Sequence, residues 1–239
     1  MLSDRNELIA VVGGGWAVGR FTYSSKSKIT CDRQAFLLEL FLEYQDGSKE
    51  KIVTDESWQV TREGNYRFGD FYDGEIYDAT VELNRISWKK ADIYKPKLSP
   101  VLTVRYGPAV AAHETLRPVS SFPAKNGRET IYDFGQNFSG VVSLKIKGKC
   151  GQEITVRHAE IMTDGDLNVK SLRTAKAKAT YICKDGIQEY SPRLTYMGFR
   201  YIGIEGTAPE DIEVSALVLH SDFDETGSFE YGSYTRCQY

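Results

Sequence analysis

The fold class of this chain is decided by residues 35–44, which read Ala35-Phe36-Leu37-Leu38-Glu39-Leu40-Phe41-Leu42-Glu43-Tyr44. Every second position from Phe36 to Tyr44 is apolar, whereas the other positions include Glu39 and Glu43. A repeat of two residues is typical of a strand with one buried face, because successive side chains of a strand point to opposite sides. This stretch therefore predicts a half-buried β-strand.

The residues that follow predict a hairpin. Asp46-Gly47 is a pair that accepts positive φ, which the tight turns between antiparallel strands require. Residues 51–54 can then return as the partner strand.

The same pattern recurs along the chain. Residues 142–147 lead to a turn at Gly148 and Gly151, and residues 154–157 are expected to come back as their antiparallel partner. Further short strands are expected at residues 179–182, 199–205 and 214–219, and no long helix is evident. Short strands at this spacing are typical of sandwiches, so we expect an all-β fold of two antiparallel β-sandwich domains.

A proline cluster separates the two strand-rich halves. Residues 94–100 and 106–108 contain three of the seven prolines, and proline cannot serve in a central strand. We therefore expect a first domain over 1–93, a second over 94–222 and a tail over 223–239.

Composition excludes several classes of protein. The 239 residues are 41% hydrophobic, and 30 basic against 33 acidic side chains give a formal charge of −3, so no broad cationic surface for nucleic acid is expected. No apolar stretch approaches the roughly 20 residues of a membrane-spanning helix, and the start has no signal-peptide core, which favours a soluble, cytoplasmic protein. Cys31, Cys150, Cys183 and Cys237 are scattered, so they are interpreted as ordinary thiols, with one structural disulfide as the alternative.

Residues 69–78 are the best local candidate for chemistry, since they combine four carboxylates with three aromatic rings. Three interpretations stay open: a catalytic acid pair, a sugar or calcium site, and a structural turn whose acids cap backbone amides. Candidate calcium ligands are Asp70, Asp73 and Asp78. Candidate carbohydrate-binding residues are Trp16, Asp70, Tyr72, Asp73, Glu75 and Tyr77.

Other apparent motifs fail on spacing or context. Residues 13–19 are glycine-rich, but their spacing and the strand-like residues after them do not fit a dinucleotide-binding loop. Three histidines are too few and too separated for a metal triad, and His158 beside Glu160 is interpreted as a hydrogen-bonded surface pair. Ser139 lacks the glycine pattern of a nucleophile elbow.

Several stretches together resemble one enzyme family, over about residues 6–229. They are residues 6–16, 71–79, 132–140 (Tyr132-Asp133-Phe134-Gly135-Gln136-Asn137-Phe138-Ser139-Gly140), 151–160 and 196–206. In order and spacing they resemble the N-terminal accessory domains of bacterial α-L-rhamnosidases of glycoside hydrolase family 78. The resemblance implies a jelly-roll domain, entered here after its first strands with residues 6–16 as an interior strand and turn, followed by a complete concanavalin-like sandwich.

The resemblance also implies what this chain does. Catalysis in that family is inverting and uses acids on an (α/α)6 barrel, for which 239 residues leave no room, so no catalytic residue is expected here. We expect an inactive accessory portion that supports the catalytic barrel and contacts rhamnose-containing carbohydrate. A free-standing carbohydrate-binding module is the alternative, and an open sheet edge and apolar face near residues 6–23 predict self-association.

Overall fold

The structure, a computed structural model, describes residues 6–22, 26–96 and 101–228. These residues form strands and two short 3-10 helices, Lys170–Leu172 and Pro209–Asp211, which confirms the all-β prediction. The helices in this part of the chain are too short and too polar to cross a membrane. The strands are β1 (Glu39–Glu43), β2 (Lys49–Val53), β3 (Gln59–Val60), β4 (Tyr66–Asp70), β5 (Gly74–Asp78), β6 (Lys89–Lys90), β7 (Val110–Leu116), β8 (Ser120–Pro123), β9 (Thr130–Gly148), β10 (Glu153–Ala159), β11 (Met162–Thr163), β12 (Asp166–Leu167), β13 (Lys178–Ile182), β14 (Gly186–Tyr190), β15 (Met197–Glu205) and β16 (Ile212–Ser221).

One curled sheet of ten strands dominates the molecule. Its order is β4-β5-β13-β10-β15-β9-β16-β7, and β8 and β14 pair with β9 beside this path. All its pairings are antiparallel except that of β5 with β13, which is parallel. Strands β4 and β5, from the first half of the chain, thus extend the sheet of the second half.

Strand β9 lets this sheet fold over on itself. Its first part, residues 130–140, pairs with β15, and its second part, residues 140–146, pairs with β16. The change of partner falls at Gly140, where a Cβ atom would lie 2.1 Å from the carbonyl oxygen of Leu217. A long strand that changes partners at a bend forms a corner of a sandwich, and only glycine fits at this one.

The core lies between the two parts of the curled sheet. Rings of Phe134, Phe138 and Phe199 contact one another with centroids 4.5–5.7 Å apart. Aliphatic residues from five strands complete this core: Val142, Leu144, Ile146, Ile154, Val156, Ala179, Ile202, Ile204 and Ala216.

The predicted early hairpin is confirmed, but its burial is not. Strands β1 and β2 pair from Glu39–Val53 to Glu43–Lys49 across a turn in which Gly47 has φ +82°. Phe41 is nevertheless 69% exposed, and most of the hairpin is exposed with it. The period of two was correct, but it does not reveal whether another element covers the apolar face.

The second predicted hairpin is wrong in its pairing. Residues 142–147 and 154–157 do form strands, within β9 and β10, but β10 pairs with β13 and β15 instead of β9. This part of β9 already has β16 on one side and β14 on the other. Consecutive strands of a sandwich commonly belong to different parts of the sheet, so a short turn signal does not ensure that they pair.

Further predictions concern the ends and the junction. Residues 6–14 form no strand, so the predicted interior strand there is wrong, and the nearest pairing is an isolated bridge between Arg20 and Ser27.

Cys31, Cys150 and Cys183 are free thiols, as predicted. Residues 97–100 of the proline cluster, Tyr23, residues 229–239 of the tail and Cys237 lie outside the described residues.

Candidate functional site

The acidic stretch forms a hairpin in which β4 and β5 are joined by residues 71–73. Asp70, 2% exposed, caps this turn, because its Oδ1 accepts hydrogen bonds from the backbone N–H of Tyr72 at 2.9 Å and of Asp73 at 2.6 Å. Its Oδ2 lies 3.4 Å from the backbone nitrogen of Arg20. These contacts are those expected of a structural turn.

Asp73 is the second carboxylate of the turn and lies between two cations. Its Oδ1 is 3.1 Å from a guanidinium nitrogen of Arg20, and its Oδ2 is 3.7 Å from the ammonium of Lys176. The side chain is 13% exposed. The same guanidinium lies over the ring of Tyr72, 5.6 Å from its centroid, so the turn is tied to the chain segment that precedes it.

Glu75 is buried and acts as an anchor between distant parts of the chain. It is 1% exposed, and its Oε1 accepts a hydrogen bond from the hydroxyl of Tyr190 at 2.9 Å. Its Oε2 accepts from the backbone N–H groups of Arg193 at 2.9 Å and Leu194 at 2.7 Å. Burial, together with the negative charge of Glu75, raises the pKa of Tyr190. With its oxygens satisfied by protein donors, Glu75 has no surface to offer a sugar.

Tyr77 and Asp78 also serve the fold. The ring of Tyr77 stacks on that of Tyr181 at 5.7 Å and meets Tyr66 edge-on at 4.9 Å. Burial raises the pKa of Tyr77. Asp78 Oδ1 accepts hydrogen bonds from the backbone N–H and the hydroxyl of Thr80, at 3.0 and 2.6 Å.

The geometry does not fit a calcium ion at Asp70, Asp73 and Asp78. Calcium takes six to eight oxygen ligands around one point. Among the described residues, no group of three or more acids, histidines or cysteines is arranged to hold a metal. The Oδ1 atoms of Asp70 and Asp78 are occupied by protein donors, and Asp73 already faces two cations.

Glycines bring the early segment against the hairpin. The backbone N–H of Gly14 donates to the carbonyl oxygen of Gly69 at 2.8 Å. Leu194 fits between Gly13 and Gly69, where a Cβ atom would lie 3.3 and 2.7 Å from its side chain. Gly19 is equally restricted, with Asp70 Cβ 2.7 Å from the position of a Cβ. These contacts bring the backbone of the glycine-rich residues 13–19, beside Trp16, close to the hairpin.

This packing assembles four aromatic side chains, which we call the aromatic row: Phe21, Trp16, Phe71 and Tyr196. Successive ring centroids lie 5.7, 5.3 and 5.4 Å apart. Trp16 is 50% exposed, and Phe21 and Tyr196 are each 43% exposed. Exposed rings in contact present a continuous apolar surface, which marks an interaction site more strongly than single exposed residues do.

Sequence reasoning found only part of this row. It selected Trp16 and missed Phe21, Phe71 and Tyr196. Phe71 adjoins the selected Tyr72, so its place in the loop was a usable signal. No local signal in the sequence placed Tyr196 in the row. Tyr196 lies next to Phe71 because Glu75 binds the backbone N–H groups of residues 193 and 194, which are more than 100 positions from Glu75 in the chain.

The predicted surface pair at His158 is wrong. His158 is 2% exposed, and its Nδ1 lies 2.8 Å from the carbonyl oxygen of Ala177. Its ring meets Phe199 edge-on at 4.9 Å. Burial lowers the pKa of His158 to about 4, so the ring is neutral near pH 7.

Models of two protein domains match this chain. The α-L-rhamnosidase N-terminal domain matches residues 1–123, and the bacterial α-L-rhamnosidase concanavalin-like domain matches residues 124–220. The chain belongs to the α-L-rhamnosidase family.

Curated α-L-rhamnosidases are similar to this family member over nearly all its length. The enzyme from Alteromonas sp. (strain LOR) is 34% identical over an alignment of 242 positions, gaps included, which covers 94% of this chain and 26% of the relative. That from Streptomyces avermitilis is 31% identical and is matched over 94% of this chain and 23% of its own length. The chain thus spans about a quarter of the length of the curated relatives it matches.

Solved α-L-rhamnosidases share the fold. The native enzyme from Aspergillus terreus superposes with a TM-score of 0.78 at 34% identity, covering 92% of this chain and 27% of that one. The Streptomyces avermitilis enzyme, solved in complex with L-rhamnose, gives a TM-score of 0.75 at 27% identity. This match covers 87% of this chain and 21% of that one.

Proposed function

We propose that this chain is an accessory, non-catalytic portion of an α-L-rhamnosidase. The observation that carries the proposal is that residues 1–123 match the N-terminal domain and residues 124–220 the concanavalin-like domain of such enzymes, while the chain spans about a quarter of their length. The activity expected of the whole enzyme is inverting hydrolysis of terminal α-L-rhamnose from glycosides.

The contacts of the acidic hairpin support a non-catalytic role. An inverting glycosidase holds a proton donor and a base about 6.5–9.5 Å apart across the sugar, with room for a water molecule. Asp70 and Glu75 are buried and bound to backbone N–H groups, and Asp73 is paired with Arg20 and Lys176. Carboxylates that are held in this way stabilise the turn and are not free to exchange protons with a substrate.

We propose that the chain divides at the proline cluster, with domains over 1–93 and 94–222 and a tail over 223–239. Strands β7 and β8 favour this boundary, because they pair with β16 and β9 of the second half. The two domain models instead meet between residues 123 and 124.

The supporting role is tested with a chimeric enzyme. Residues 1–228 replace the matching segment of the Alteromonas sp. α-L-rhamnosidase. Hydrolysis is then measured as release of p-nitrophenol from p-nitrophenyl α-L-rhamnopyranoside. If these domains brace the (α/α)6 catalytic barrel, the chimera hydrolyses the substrate and the relative deprived of this segment loses stability or activity. A folded chimera without hydrolysis would contradict the role.

The finer role that we propose is contact with rhamnose-containing carbohydrate at the aromatic row. Aromatic rings stack on the apolar faces of sugars, and Trp16 offers half of its surface. Tyr72, with Arg20 over its ring, lies next in the chain to Phe71 of the row. The row also favours the alternative function, a carbohydrate-binding module that acts without the barrel.

Calorimetric titration of the purified chain with L-rhamnose tests this contact. We expect binding that Trp16→Ala abolishes and that Trp88→Ala, at an exposed tryptophan outside the row, leaves unchanged. Calcium should have no effect, because the described acids do not converge on one ion. Silent titrations with and without calcium would remove both the contact and the free-standing module.

A further inference from the structure

Two histidines lie side by side at the edge of the large sheet. His220 is in β16, and His113 is in β7, the last strand of the sheet order. Their rings are nearly parallel, at 5°, with centroids 3.5 Å apart. Both side chains are exposed, so the pair is open to solutes.

A β-bulge positions this pair. The register between β7 and β16 shifts between Val218 and Leu219, and His113 is the residue of β7 left without a register partner there. Bulges of this kind redirect a side chain out of the regular alternation. Here the bulge sets the imidazole of His113 against that of His220.

Backbone carbonyls fix which ring nitrogens carry hydrogen. His113 Nε2 lies 3.2 Å from the carbonyl oxygen of His220, and His220 Nδ1 lies 3.0 Å from that of Ser221. A carbonyl oxygen only accepts, so these two nitrogens are the donors. In the neutral rings the lone pairs are therefore on His113 Nδ1 and His220 Nε2.

We propose that His113 and His220 bind one divalent transition-metal ion through these two nitrogens. Histidines that bind metals almost always donate their other N–H to a carbonyl, carboxylate or water, which is the arrangement found here. The two lone pairs lie in nearly parallel ring planes, so binding turns one ring out of the stack, and its other N–H then donates to water in place of the carbonyl. Both lone pairs can then meet at one ion with Zn–N bonds of about 2.0–2.1 Å.

The ligand set defines the class of ion. Imidazole nitrogen suits copper, nickel and zinc, and affinity increases from nickel to copper. No third acid, histidine or cysteine joins the pair among the described residues, so water completes the coordination. The bound ion links the edge strand β7 to β16 and adds stability to the sheet at the end opposite β4.

Titration calorimetry of the untagged protein with NiCl2 and CuCl2 tests the site. The chain has three histidines, and His158 is buried, so His113 and His220 are its exposed imidazoles. We expect one ion per chain, bound more tightly for copper than for nickel. His113→Gln and His220→Gln should each weaken binding by at least the roughly 10- to 100-fold that loss of an outer partner costs.

A second measurement keeps the test independent of folding. Cu²⁺ broadens NMR signals of nearby amides, and the broadening should centre on residues 111–114 and 218–221. His158→Asn, which removes the buried ring, should leave it in place. Unchanged affinity in the double variant His113→Gln/His220→Gln, or broadening centred elsewhere, would overturn the proposal.

Discussion

Asp70 and Glu75 are buried acids whose hydrogen-bond donors include backbone N–H groups. A carboxylate that accepts several such bonds is strongly stabilised, since hydrogen bonds to an ionised group are roughly twice as strong as neutral ones. Each residue therefore fixes a neighbouring segment: Asp70 closes its own turn, and Glu75 holds the segment that carries Leu194 and Tyr196. The sequence showed that acids were concentrated here, but it could not show which donors they meet.

Removing the charge of Glu75 should destabilise the fold. In Glu75→Gln the side chain can still accept from one side, but its amide is a poor match for three donors, and we expect a loss of roughly 1–3 kcal/mol in the free energy of unfolding. Urea denaturation measures the change. Glu56→Gln, at an exposed site, is the control and should stay within about 0.5 kcal/mol of the parent chain.

Buried His158 should make stability depend on pH. Its folded-state pKa of about 4 lies below the 6.5 of an exposed histidine, so the unfolded chain binds more protons between these values. Stability is then fully present above about pH 6.5 and is lost as the pH falls towards 4, by about 3 kcal/mol in total. Denaturation from pH 4 to 7.5 measures this slope. His158→Asn should flatten it, and an unchanged slope in that variant would refute the assignment.

Individual strands and the β1–β2 hairpin were predictable, whereas the pairings within the large sheet were not. Periodicity and glycine turns located the strands that became β1, β2, β13, β15 and β16. They could not reveal that β10 pairs away from β9, because β9 already has partners on both sides of residues 144–146. The parallel pairing of β5 with β13 joins residues about 100 positions apart, and no local pattern carries that information.

The corner in β9 gives a prediction at this scale. In Gly140→Ala the new methyl would lie 2.1 Å from the backbone oxygen of Leu217, so the two strands must separate. We expect a loss of at least about 3 kcal/mol, measured by thermal or urea denaturation. Gly198→Ala on the neighbouring β15 is the matched control, since its nearest contact would be an ordinary 3.5 Å to Glu160. Equal stability of the two variants would show that β9 does not need glycine at its bend.

At the scale of the whole molecule, the two halves are joined by more than the connecting chain. Strands β4 and β5 extend the sheet of the second half, Glu75 binds the 193–194 backbone, and Leu194 packs between Gly13 and Gly69. The aromatic row arises from this junction. Family resemblance in the sequence gave the domain types, but the row required three-dimensional contacts.

Self-association remains a prediction, and of its two grounds only the apolar surface is left, because residues 6–14 form no strand. Leu8, Ile9, Val11 and Val12 are each 41–50% exposed in a segment without strand pairing. We expect the sedimentation coefficient to rise with concentration and Ile9→Glu/Val11→Glu to suppress the rise. The control variant Ile187→Glu, at an isolated exposed position, should not suppress this rise in the sedimentation coefficient. A concentration-independent monomer would contradict the prediction.

The most direct test of the accessory role is hydrolysis by the purified chain alone. At high protein concentration, with p-nitrophenyl α-L-rhamnopyranoside as substrate and the Alteromonas sp. chimera as positive control, we predict no release of p-nitrophenol above that in buffer. Release that Asp73→Asn abolishes would contradict the account, because it would place catalysis in the acidic hairpin.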